Sequence, residues 1–129
     1  MIAVDTNIIV RVLTNDDPRQ ARRAVQLIEK NDIFISKTVI LETEWVLRHA
    51  YGIDADTIIS GFQKLFGLAG VTVEDSWAIF QSLNWHREGL DFADALHMAS
   101  WMRSSHFATF DKSLIKKSSR IKVIEVMEP

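Results

Sequence analysis

Apolar runs of strand length alternate along this chain with stretches of helical period, the pattern of a parallel sheet covered by helices. Ile2-Ala3-Val4 reads as a short buried strand ending at Asp5-Thr6-Asn7. From Pro18 to Lys30, Ala21, Ala24, Val25 and Ile28 recur on one helical face while Arg22 and Arg23 turn outward. Ile33-Phe34-Ile35 is a second strand, Thr38 to Ala50 a helix stopped by Gly52, and Asp54 caps a helix running to about Leu68. A short Val71-Thr72-Val73 strand precedes a helix capped by Asp75 and extending towards Arg87. Asp91 caps a helix to about Arg103, His106 to Phe110 is a strand, and Ile121 to Val126 is the last one. No repeat, linker or low-complexity stretch interrupts the series, so residues 1–129 are expected to form a single domain.

Four acids, Asp5, Glu42, Asp94 and Asp111, stand at or just beyond these apolar segments, where isolated charge is expensive, and none has a cation at helical spacing. Asp5 and Asp111 close apolar strands. In a parallel sheet such carboxyl ends share one edge, where ligands bind. Asp-Thr-Asn and Asp-Lys-Ser are also good helix starts, so capping is the competing account of either acid alone. Drawn at 100° per residue, Glu42 falls between Trp45 and Val46, whereas Glu44 has Arg48 at i+4 and reads as an ordinary solvated pair. Asp94 lies between Trp101 and Met98 with Asp91 at i−3, like charges that raise each other's proton affinity unless a cation intervenes. For Asp91 an N-cap is the plainer account, with metal contact the alternative.

Carboxylates gathered in one place need a cation. The chain has no cysteine and no histidine pair at zinc-ligand spacing, which favours the oxygen-seeking Mg²⁺ or Mn²⁺ over Zn²⁺. The expected chemistry is metal-dependent phosphodiester hydrolysis, with Asp5 and Asp94 as direct ligands and Glu42 and Asp111 acting through water. One ion, or two roughly 3.5–4 Å apart, would serve equally.

Composition narrows this only a little. At 47% hydrophobic and 25% charged residues the chain is globular, and the absence of cysteine suits a reducing cytoplasm. No basic leader or membrane-length apolar run is present. A net charge of −2 argues against a uniformly basic surface. Local basic residues are nevertheless available: Lys112, Lys116, Lys117, Arg120 and Lys122 supply five of the fifteen cations just after Asp111, and Arg11 follows Asp5. A solvated face and a phosphate-steering role are both open for them. His86, Arg87 and His97 are weaker candidates. Trp45, Trp77, Trp85 and Trp101 are suited to stack bases, but core packing or a dimer interface is the stronger account for most.

Ala3-Val4-Asp5-Thr6-Asn7, Leu41 to Leu47, Asp91 to Ala99 and Ala108-Thr109-Phe110-Asp111-Lys112 resemble the ordered motifs of the PIN-domain family, and within it the VapC-type toxins of bacterial toxin–antitoxin pairs. The resemblance spans Met1 to Ile124 and rests on the set rather than on any one motif. It implies a three-layer α/β/α sandwich with a central, mostly parallel sheet, Mg²⁺- or Mn²⁺-dependent endoribonuclease activity, a homodimer, and inhibition by a VapB-type antitoxin. The motif positions fall on Asp5, Glu42, Asp94 and Asp111, with Thr6, Asn7 and Thr109 as polar support and Asp91 as a further candidate for the metal. A single-stranded or loop region of structured RNA is the expected substrate. Two other classes stay open on the acids alone: a related nuclease or phosphatase acting on DNA or small phosphates, and a non-catalytic module that binds a cation and a partner.

Overall fold

A computed structural model describes residues 1–101, 104–121 and 125–129. The chain folds into two compact units, Met1–Ser76 and Trp77–Pro129. The first contains β1 (Ile2–Ala3), α1 (Thr6–Thr14), α2 (Pro18–Lys30), β2 (Ile33–Ile35), α3 (Lys37–His49), α4 (Ala55–Phe66) and β3 (Val71–Val73). The second is built from α5 (Ser76–Arg87), which starts on the last residue of the first, then α6 (Phe92–Ala99), β4 (His106–Ala108), α7 (Lys112–Ser118) and β5 (Glu125–Met127).

All strand pairing among the described residues is parallel, as the alternating pattern predicts. In the first unit β2 lies between β1 and β3, with Ile2 opposite Ile33 and Ile35 opposite Val73. Parallel neighbours cannot be joined by tight turns, so the chain crosses over through α1–α2 and then α3–α4. Ile33 and Ile35 are fully buried on the central strand. The helices add Ile9, Val10, Ala21, Ala24, Ile28, Ile40, Leu47, Ile59 and Phe62 to the buried set. Asp17 caps α2 by accepting from Gln20 N at 3.1 Å, and Pro18 opens that helix where its missing N–H costs nothing.

In the second unit β4 and β5 pair in register, Phe107 opposite Val126. Both pack on a core of Ala78, Trp85, Leu90, Ala95, Met98, Ala99, Leu114 and Ile121. Gly89 ends α5 at φ +111°, a conformation a side chain would strain, and lets Leu90 N reach back to Trp85 O at 3.1 Å.

The hydrophobic pattern locates every one of these strands. The α/β class with parallel pairing, consistent with a PIN-like α/β/α fold, is what forms. Some boundaries differ. The helix after Asp91 ends at Ala99, where Ser100 Oγ donates to Leu96 O at 2.6 Å and competes with continuation of the backbone ladder. Arg103, its expected end, lies outside the described residues. The last strand occupies Glu125–Met127, and residues 122–124 of the expected span are likewise outside them. Asp75, expected as a cap, has a left-handed backbone at φ +49° and gives its carboxylate to Lys37 Nζ at 2.9 Å.

Candidate functional site

The first unit contributes two of the candidate acids. Asp5 follows β1 and caps α1 with an extended backbone, its carboxylate accepting from Ile8 N at 3.2 Å. The adjacent Thr6 is buried and its Oγ1 donates to the Glu42 carboxylate across to α3. That bond fixes the orientation of Glu42. Asp5 and Asn7 open into a cleft of about 520 Å³ together with Arg11, Gln20 and Arg23. Arg11 is tethered there: its Nε donates to Gln20 Oε1 at 2.7 Å, its Nη1 to Tyr51 Oη at 3.3 Å, and Asp16 lies 3.6 Å away.

Glu42 itself is exposed, not embedded in apolar surroundings. The buried stripe of α3 is Ile40, Thr43, Glu44 and Leu47, at the i, i+3, i+4, i+7 spacing of one face. Trp45, used to place the apolar side, is 56% exposed and leans on the His49 ring with centroids 4.7 Å apart. Glu44 is therefore corrected from a solvated acid to a buried one. Only 1% of it is exposed, and both its oxygens are taken by Arg48, at 2.8 and 3.2 Å. The signal that could have found it is its position in the stripe counted from Ile40.

The second unit holds the other acids. Asp91 caps α6, accepting from Asp94 N at 3.2 Å, so the capping account of Asp91 stands. Asp94 sits half-buried one turn later. Burial raises its pKa above the ordinary carboxylate value, and the negative charges of Asp91 and Asp111 push it the same way, against smaller opposing effects of His97 and Lys117. Asp111 caps α7 by accepting from Leu114 N at 3.1 Å, while its own N–H donates to Thr109 Oγ1 at 3.0 Å. Thr109 thus holds the backbone that aims Asp111. Among the described residues, no group of three or more acidic or histidine side chains is assembled to hold a metal ion.

Lys112, Lys116, Lys117 and Arg120 are all exposed on and just after α7, and Lys117 and Arg120 border a cleft of about 290 Å³ with Glu88 and Leu90. Lys122 lies outside the described residues. His86 is structural: Nδ1–H donates to Leu90 O at 2.6 Å and the ring meets Phe92 edge-on. Arg87 and His97 are exposed. Of the tryptophans only Trp85 is in the core; Trp45, Trp77 and Trp101 are exposed, so core packing does not explain them.

The chain is a parallel α/β protein with carboxylates capping α1, α6 and α7. More particularly, the model of the PIN domain family matches residues 2–119, running through both units, and the chain belongs to that family. PIN domains are generally nucleases, and such nucleases typically use divalent metal ions. No curated protein matched the chain. No helix among the described residues is long and apolar enough to cross a membrane.

Proposed function

We propose that the chain is a single-domain, Mg²⁺- or Mn²⁺-dependent endoribonuclease and the toxin of a type II toxin–antitoxin pair. The observation that carries the nuclease reading is the PIN family match over residues 2–119, to which Asp94 adds a half-buried carboxyl with Asp91 and Asp111 among its charged neighbours, a setting that favours a bound cation. The donor set fits a hard cation, being all oxygen: Asp5 and Glu42 are the candidates on the first unit, Asp94 and Asp111 on the second, with Asp91 the remaining candidate. The lack of a three-residue cluster is compatible with this, because Mg²⁺ usually takes one or two protein carboxylates and keeps its waters. When bound, the ion supplies an activated water and neutralises charge on the phosphoryl oxygens.

The chain's own residues do the rest. Thr6 orients the Glu42 carboxylate, and Thr109 fixes the backbone of Asp111. Asn7 adds a polar group beside Asp5. Arg11, Lys112, Lys116, Lys117 and Arg120 offer phosphate contacts for RNA, Arg11 already held in place beside Asp5. As a toxin it works as a homodimer in the cytoplasm and is restrained by a VapB-type antitoxin. Exposed apolar side chains on each unit, Trp45 and Leu68 on the first, Trp77 and Phe80 on the second, supply surface for such protein contacts.

The test is cleavage of single-stranded and structured RNA by the purified protein with Mg²⁺ present and then chelated. Cleavage should require the ion, should fail in Asp5→Asn and Asp94→Asn, and should leave 5′-phosphate and 3′-OH ends. A 2′,3′-cyclic phosphate would show that the 2′-OH is the nucleophile and end the water-attack mechanism. Growth arrest on expression, relieved by the neighbouring small gene, tests the toxin role separately.

A further inference from the structure

Helix α2 carries a second basic surface, away from the cations that follow Asp111. Arg19, Arg22, Arg23 and Gln26 fall at i, i+3, i+4 and i+7, one face of the helix, with the buried Ala21, Ala24 and Ile28 turned to the core. The four exposed side chains line a shallow concavity of about 340 Å³. Arg11 and Arg48 are engaged by acids, at 3.6 and 2.8 Å, whereas none of the three α2 guanidinium groups has an ion pair or hydrogen bond among the described residues. No acid occupies the first turn of the helix. Like charges at i,i+3 and i,i+4 weaken a helix, so the arrangement is unfavourable in isolation and is relieved by an anion.

Arg23 ties this surface to the candidate site, since it also lines the cleft that contains Asp5 and Asn7. The basic face therefore continues from that cleft along α2 for roughly 10 Å, at 1.5 Å per residue from Arg19 to Gln26. Planar guanidinium groups bind phosphate oxygens bidentately, and they do so without needing a particular base. The face offers no aromatic or aliphatic anchor of the kind that protein partners use.

We propose that Arg19, Arg22 and Arg23 are a phosphate track that grips the single RNA strand where it leaves the Asp5 cleft. This rests on the reading of the chain as a ribonuclease and adds to it a path for the substrate. The track binds backbone, not sequence. It raises affinity evenly across RNAs and makes that affinity salt-dependent.

The experiment measures anisotropy of a labelled, unstructured RNA oligonucleotide titrated with the full chain in chelator, over a series of salt concentrations, beside a cleavage assay with Mg²⁺. Replacing all three arginines by alanine should weaken binding about tenfold or more at low salt and reduce the slope of log K against log salt by about 2, near 0.7 for each phosphate no longer neutralised. Arg22→Ala alone should take roughly a third of that slope change, which keeps the test alive if the triple variant folds poorly. Lys64→Ala, on α4, should change neither quantity. An unchanged slope in the triple variant, with wild-type protein that binds and cleaves RNA, would overturn the track alone and leave the face to an acidic protein. Wild-type protein that neither binds nor cleaves RNA would overturn the track together with the ribonuclease reading.

Discussion

Truncating Glu44 tests the reassignment of the two glutamates on α3. The carboxylate is 1% exposed and holds Arg48 through hydrogen bonds of 2.8 and 3.2 Å, while the Arg48 side chain keeps 33% of its surface in solvent. Removing one member of a fully buried ion pair costs about 3–5 kcal/mol, because the other charge is stranded. Arg48 is only partly buried and can turn its head group to water along its aliphatic stem, so Glu44→Ala should cost less, about 2–3 kcal/mol. For a chain of this size that lowers Tm by roughly 6–12 °C. Glu44→Gln keeps the shape and an acceptor and should fall between alanine and wild type. Glu44→Met fills the space but, like alanine, leaves Arg48 without its partner, so it should fall below Gln and above alanine. Urea unfolding at neutral pH, read as a shift in midpoint at constant m, measures all three. If Glu44→Ala unfolds within about 0.5 kcal/mol of wild type, the change typical of a solvated position, then Glu44 is a surface residue and the assignment of the buried face of α3 is wrong.

Two further outcomes concern the second unit. The folded chain holds the Asp94 proton more tightly than the unfolded chain does, so unfolding free energy should decline as pH rises from the ordinary 3.8 through the raised folded value. In metal-free protein Asp94→Asn should remove that part of the decline, and the same pH dependence of unfolding free energy in the two proteins would contradict the burial of Asp94 and the crowding of Asp91 and Asp111 against it. Replacing Lys112 and Lys116 by alanine should weaken RNA binding and flatten its salt dependence by about 1.4 in slope while leaving metal affinity, measured by calorimetry, intact.

What is legible in the sequence follows from the range of the interactions involved. Strands such as Ile33–Ile35 and Val71–Val73 and the face of α2 are readable because their periodicity is set by neighbours a few residues away. The caps at Asp54 and Asp91 are equally local, each carboxylate meeting an N–H three residues on. The rotation of α3 is not legible. It is fixed by which side the rest of the first unit covers, and the large Trp45 marks the wrong arc while the charge on Glu44 disguises its burial. The same limit hides the exposure of Ile2 and of three of the four tryptophans, since apolar character at one position does not tell whether anything packs on it. The Thr6–Glu42 bond joins residues 36 apart and no local rule could supply it.

Capping and metal binding are rival accounts of Asp5 and Asp111 at the level of sequence, and the structure gives both acids the cap. The two roles do not exclude each other. A carboxylate has two oxygens with about four acceptor sites, and the backbone N–H of Ile8 or Leu114 occupies one of them. The cap also pins the side chain at the start of its helix, leaving its remaining acceptor sites free to face a cation. This predicts a separation that neither account gives alone. Asn caps a helix about as well as Asp, so Asp5→Asn and Asp111→Asn should preserve thermal stability while lowering metal affinity and RNA cleavage. Asp5→Ala and Asp111→Ala lose charge and cap together and should be both inactive and destabilised, by about 1 kcal/mol each. Full cleavage in the Asn pair with loss in the Ala pair would assign these two acids to capping only and remove them from the proposed metal-binding set.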